Sequence, residues 1–268
     1  MLIQLLLHNL KLKYIFMNDK YLSDRLVLPA YSLSPQKVTK ILLGAIVVLI
    51  IGNIVEREIV QWLNSNNGSE IIPHYFNFDR ESNFPTLYSA LTLGFCSYLL
   101  YIIAAVKKFR QADARYWKAL SFIFLYIAVD EACTIHELLI PILQGAFNTK
   151  GIFYFAWVIP ALFLLLIFLF IFRQFIQNLP TKTRLMFILA GSVYVGGAIG
   201  MEMIGGYIAD TYGFNTFAYG MAARIEELLE MLGILIFINQ LLIYLQSQRT
   251  DIHFSLSFKS LKSKSYKS

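Results

Sequence analysis

Nine of the seventeen acidic residues, Glu56, Glu58, Asp130, Glu131, Glu137, Glu202, Glu226, Glu227 and Glu230, sit inside stretches otherwise made of Leu, Ile, Phe, Val, Ala and Gly. Away from the ends of the same stretches stand two permanent cations, Arg57 and Arg224, with His136 as a third when protonated. A carboxylate at the centre of a membrane helix costs about 2.5–3.5 kcal/mol on insertion scales, so such residues are functional candidates by default. Nine against three do not balance. Protons, a water-filled cavity or bound cations must make up the difference.

Two segments concentrate the acids. Read as one continuous helix, YIAVDEACTIHE (126–137) places Tyr126, Asp130, Cys133, Thr134 and Glu137 on one face, with Glu131 and His136 to either side. In RIEELLEM (224–231), Glu226, Glu227 and Glu230 occupy an arc of about 100° on a helix. Glu202 follows a glycine-rich run. These groups form the expected cage for a divalent metal: Asp130, Glu226 and Glu230 as main ligands, with Glu202, Glu137, His136 and Glu227 completing the shell. Carboxylates with one imidazole suit Fe, Mn or Zn, whereas an all-oxygen set suits Ca, Mg or Mn.

No standard metal motif is present. Glu131 is followed at the third position by Thr134, so the Glu-x-x-His of di-metal bundles is missing. His136-Glu137 opens like H-E-x-x-H, but Ile140 stands where the second His belongs. Walker A, G-x-G-x-x-G, G-x-S-x-G and Cys-x-x-Cys sequences are also absent, which leaves ATP hydrolysis, dinucleotide chemistry, serine hydrolysis and thiol redox by those motifs unsupported. A structural ion-pair network competes with the metal reading, because Arg224 lies three residues before Glu227 and Arg57 stands between Glu56 and Glu58. Cys133 is expected to be a buried structural cysteine, His74 a solvated loop residue near Asp79, and Asn67-Gly68-Ser69 a glycosylation sequon if the membrane is eukaryotic.

The elements that must carry these groups are membrane spans. Of the 268 residues 57% are hydrophobic and 15% charged, with a mean hydropathy of +0.58. A soluble domain of that composition has too little polar surface to cover itself. Six apolar runs, near 39–63, 85–106, 117–142, 151–175, 183–208 and 217–246, each approach or exceed the ~20 residues that cross a bilayer. The sequence therefore predicts an all-α polytopic bundle of six transmembrane helices (38–246), between an N-terminal arm (1–37) and a basic tail (247–268). Met17 is an alternative start. Within the bundle, the fourth run is apolar all round and expected to face lipid, with a kink at Pro160 and Trp157 near its outer end. The fifth is expected to be central, its Gly196 and Gly200 admitting another backbone.

Lysine and arginine cluster in the arm, at 107–118, at 173–184 and in the tail, while the alternate loops hold only Arg80 and Lys150. The positive-inside bias then places both termini in the cytoplasm, in a plasma membrane. The net charge of +6 is accounted for by these topogenic clusters, so no nucleic-acid partner is expected. Cys96 and Cys133 both lie in apolar runs and form no disulfide framework. Three functions fit: a divalent-metal site, catalytic on a lipophilic substrate; a proton- or cation-coupled transporter or channel; or a structural, partner-binding membrane protein. The partners implied are membrane lipid and a small cation or lipophilic substrate; the sequence leaves the oligomeric state open.

Overall fold

The computed structural model describes residues 34–65, 74–109 and 111–248. Most of the expected arm, the Asn67 sequon and nearly all of the basic tail lie outside them. The described residues form helices joined by short links, without a strand. In chain order these are α1 (Pro35–Ser65), α2 (Phe84–Phe109), α3 (Arg115–Cys133), α4 (Ile135–Phe147), α5 (Val158–Gln177), α6 (Thr181–Val195), a π-helical turn (Gly196–Met201), α7 (Glu202–Tyr212) and α8 (Phe217–Ser247).

Five of these elements are long and apolar enough to cross a membrane: Pro35–Leu63 of α1, α2, α5, the rod Thr181–Tyr212 made by α6, the π turn and α7, and α8. The third run is where the sequence reading and the structure part. It divides at Thr134, whose φ of 51° is left-handed, into α3 and α4. Neither half joins the five. α3 holds Arg115, Lys118, Asp130 and Glu131 within 19 residues, and α4 has 13 residues, roughly 20 Å at ~1.5 Å each. Elsewhere, helix ends fall where the residue types allow them. Asn148 (φ 49°) ends α4 and Gly213 (φ 85°) ends α7, residues for which a left-handed backbone is least costly. The Thr216 hydroxyl caps α8 by accepting from the Tyr219 N–H at 3.2 Å.

The centre of the bundle is α2 against α8, with 61% and 56% of their apolar stretches buried. α6–α7 is more peripheral than expected at 22% buried, and α5 is the outermost at 11%. On α5, Phe163, Leu164, Leu166 and Phe170 are 62–67% exposed, the surface of a helix meant for lipid. Pro160 does not kink α5. It stands in the first turn, where a missing N–H breaks no helical hydrogen bond.

α2 and α3 form a close hairpin. The Ser97 hydroxyl donates to the Ser121 carbonyl at 2.8 Å, and the Ser121 hydroxyl donates back to the Ser97 carbonyl at 2.9 Å. Near the end rich in Lys and Arg, the Trp117 ring stacks on Tyr244 (4.9 Å) and meets Phe175 and Phe187 edge-on. Gln240 donates to the Thr183 hydroxyl at 3.1 Å there, tying α8 to α6. α8 also receives the rod's backbone closely, through glycines other than those expected. A Cβ at Gly197 would lie 2.7 Å from the Glu226 carbonyl oxygen, and one at Gly233 would lie 2.7 Å from the Tyr194 nitrogen. Gly196 and Gly200 have nothing within 4 Å of such an atom. The π turn accounts for the difference: its wider winding rotates the glycine run, so that Gly197 rather than Gly196 meets α8.

Candidate metal centre

The acidic end of the bundle is organised by residues 74–83, which lead into α2. Asn53 donates to the Phe76 carbonyl at 2.9 Å, and the Phe76 N–H donates to Glu56 at 2.7 Å. Glu56 also faces His74 at 3.4 Å, so His74 is held against α1 rather than left in solvent. Gly52 has no side chain to obstruct the Phe76 ring, which would overlap a Cβ there. On the opposite flank Asp79 hydrogen-bonds Tyr219 of α8. Asn83 caps α2, its side-chain oxygen accepting from the Thr86 N–H at 3.1 Å. The Thr86 hydroxyl then donates to Glu81 at 2.9 Å. Burial pushes the Glu81 carboxyl above its ordinary range; the Thr86 bond opposes this, and the neighbouring Glu137 and Glu202 charges reinforce it.

The break at Thr134 supplies the centre of the site. Instead of running on along one helical face, the helix is interrupted at Thr134, and His136 Nδ1 comes 3.0 Å from Asp130 Oδ2. With the Nδ1–H assigned as donor to the carboxylate, Nε2 is left as the free ligand atom. Ligand atoms of Glu81, His136 and Glu137, one from each residue, lie within 4.8 Å of one another. Within α4, Pro141 lacks the N–H that would bind the Glu137 carbonyl. Trp157, expected only near the outer end of the fourth run, lies with its ring 4.9 Å from His136 and donates Nε1–H to Glu202 at 2.9 Å.

Glu202 is in turn a neighbour of Glu226, close enough for the two carboxyl groups to interact. Glu131, 9% exposed, interacts electrostatically with Glu81, Asp130 and His136. It acts likewise on Glu227 and Glu230 of α8. The seven residues named as candidate ligands, Asp130, His136, Glu137, Glu202, Glu226, Glu227 and Glu230, thus lie in one electrostatic network. Glu81, Glu131, Trp157 and Tyr194 join it. Glu81 was missed because it precedes its helix in a polar loop, although the run Glu81–Thr86 carries a helix-cap signature that fixes it there. Glu56 and Glu58 stand apart, the first held by residues 74–76 and the second exposed.

The expected ion pairs do not form. Among the described residues the carboxylate salt bridges are His74–Glu56, Arg115–Asp113 and His136–Asp130, and no Lys or Arg pairs with the acidic layer. Arg57 lies over the Phe217 ring at 5.6 Å, and Arg224 donates toward the Met221 sulfur at 3.4 Å instead of pairing with Glu227. Cys133 is exposed at the helix break rather than buried, whereas Cys96 is fully buried in the core.

These features describe an all-helical integral membrane protein with a carboxylate-rich layer between its helices. The chain belongs to the family described as Domain of unknown function (DUF8692), whose sequence profile matches residues 39–245. No curated protein and no solved structure matches the chain.

Proposed function

We propose that the protein holds a divalent metal at Glu81, His136 and Glu137 and uses it on a lipophilic substrate. The observation that carries this reading is the charge inventory of the acidic layer. Among the described residues, eight carboxyl groups, Glu81, Asp130, Glu131, Glu137, Glu202, Glu226, Glu227 and Glu230, share this layer with one imidazole, and no guanidinium or ammonium group pairs with any of them. A dication offsets two carboxylates that are otherwise expensive in hydrocarbon. Donor atoms around a metal with ~2.1 Å bonds lie ~3–4 Å apart, so the trio needs only a small closure. One imidazole among carboxylates favours Fe, Mn or Zn. Asp130 orients His136, as an outer carboxylate does for a ligating histidine.

A lipophilic substrate is favoured by a cleft of about 430 Å³ beside the trio. It is lined by Tyr75, Phe84, Leu87, Ala90 and Ala132, with Ser82, Asn83 and Thr86 supplying polar groups. Ser82 and Ala132 adjoin Glu81 and Glu131 in the chain, so an apolar tail in the cleft brings a polar head near the metal. In this reading α3 is a sixth crossing. Its 19 residues reach about 28 Å, its outward surface includes Phe122, Leu125 and Tyr126, and both termini then face the cytoplasm at the plasma membrane.

Metal analysis of the gently purified full-length protein tests the proposal. We expect bound Fe, Mn or Zn, a thermal midpoint lowered by chelator, and loss of both effects in His136→Ala. Protein that arrives without metal and gains no stability from added Fe, Mn or Zn would overturn it. The Glu202–Glu226 contact favours a second reading, a proton or cation relay. That reading expects pH-dependent flux in liposomes, abolished by Glu226→Gln, with no retained metal.

A further inference from the structure

We infer that Arg57 and Arg224 together bind the phosphate of an anionic membrane lipid at one end of the seam between α1 and α8. The inference does not depend on the proposed metal. The two helices run antiparallel. Near one end the Thr39 hydroxyl donates to Asn239 at 3.1 Å. Further along, Ile46 and Leu49 share a buried cluster with Met231 and Leu235. At the other end the Arg57 guanidinium lies over Phe217, 5.6 Å from the ring centre. As the numbers rise along α1 their partners fall along α8, so Arg57 comes level with the first turns of α8.

Arg224 reaches the same place from within α8. Its side chain runs toward the N-terminal end of the helix, as helical side chains do. One guanidinium nitrogen is 3.4 Å from the Met221 sulfur, and the other would lie 3.4 Å from a Cβ at Gly220. Phe217, Gly220, Met221 and Arg224 are spaced i, i+3, i+4, i+7 and share one face. Both cations therefore gather over that face, one from each helix, and the Arg57 charge acts on Arg224.

Neither arginine has a carboxylate partner among the described residues. Glu56, beside Arg57 in the chain, is taken by the Phe76 N–H and His74. Asp79 acts on Arg224 but forms no salt bridge with it. Two like charges held together repel, and an anion between them removes that cost. Guanidinium forks match phosphate oxygens, and the positive end of the α8 dipole adds to the attraction. The level is that of lipid headgroups. Arg57 lies roughly 26 Å beyond Lys40 along α1 at ~1.5 Å per residue, close to the ~30 Å of a hydrocarbon core. The neighbouring surface is apolar and open, with Ile54 55% and Phe217 70% exposed. A phospholipid offers a phosphate to the arginines and chains to that surface; a soluble anion offers only the first.

The test titrates full-length protein in detergent with three probes: dioleoyl phosphatidylglycerol, phosphatidylcholine with the same chains, and inorganic phosphate. Native mass spectrometry reads binding, and the thermal midpoint reads stabilisation. We expect phosphatidylglycerol to bind most tightly and to raise the midpoint. The choline cation opposes the arginines and inorganic phosphate has no chains, so both should bind more weakly. Arg57→Gln and Arg224→Gln should each weaken phosphatidylglycerol binding by about tenfold or more, the scale of one charge-assisted hydrogen bond. Arg57 is exposed, so its replacement leaves the core intact. Equal affinity for the two lipids, or phosphatidylglycerol held as tightly by both variants as by the unmutated protein, overturns the site. Inorganic phosphate bound as tightly as phosphatidylglycerol overturns the lipid as its source.

Discussion

Asp130 shows how much one side-chain contact changes a residue's role. By composition it was a main ligand; in the structure its carboxylate is spent on His136 at 3.0 Å. Its proposed task is to fix the imidazole's tautomer and direction. Asp130→Asn keeps the size but weakens the acceptor, so metal affinity should fall by about 10–100-fold, the usual cost of losing an outer-shell partner. His136→Ala, which removes the ligand itself, should abolish high-affinity binding at that position. Isothermal titration with Zn or Mn separates the two outcomes. Equal losses in both variants would make Asp130 a ligand in its own right. The acids themselves were legible in the sequence, because a carboxylate in an apolar run stands out against the cost of burying it. Their partners were not. Glu81 sits in a loop whose path depends on Gly52, Asn53, Glu56 and Tyr219, contacts between distant parts of the chain that no local pattern encodes.

At the scale of helices, the π turn at Gly196–Met201 sets which glycine matters. A regular helix would have used Gly196 and Gly200, the spacing read from the sequence. The wider turn puts Gly197 against α8 instead. Gly197→Ala must displace the Glu226 carbonyl or the rod, and overpacking of this kind costs about 1–3 kcal/mol. Gly200→Ala meets open space and should leave stability within about 0.5 kcal/mol of the original. Thermal unfolding in detergent, with metal content measured alongside, should show Gly197→Ala losing both while Gly200→Ala loses neither. A destabilised Gly200→Ala would return the contact to the sequence pattern. The same limit explains Thr134. Apolar periodicity runs on through 117–142, and nothing in a β-branched residue announces a left-handed φ. Yet that break is what sets His136 against Asp130.

For the molecule as a whole, the membrane class followed from composition, and the structure supplies five helices fit to cross. The orientation is open to direct measurement. With Cys96 and Cys133 replaced, a single cysteine at Asp113 should react with an impermeant maleimide from the cytoplasmic side, and one at Lys150 from the opposite side. Labelling of both from one side would remove α3 as a crossing. The difficulty for α3 is that four charged residues in 19 make it a poor substrate for insertion on its own. The reciprocal serine bonds to α2 bear on this. Ser97 and Ser121 each serve as donor and acceptor for the other's strand of backbone, and the two helices are joined by a link of five residues, 110–114. During synthesis α2 is already apolar enough to stay in the bilayer when α3 leaves the ribosome. For α3 to be the proposed sixth crossing, a pair clasped in this way would leave the translocon together, with α2 carrying its charged neighbour into the lipid before α7 and α8, which hold Glu202 and Glu226 to Glu230, have emerged.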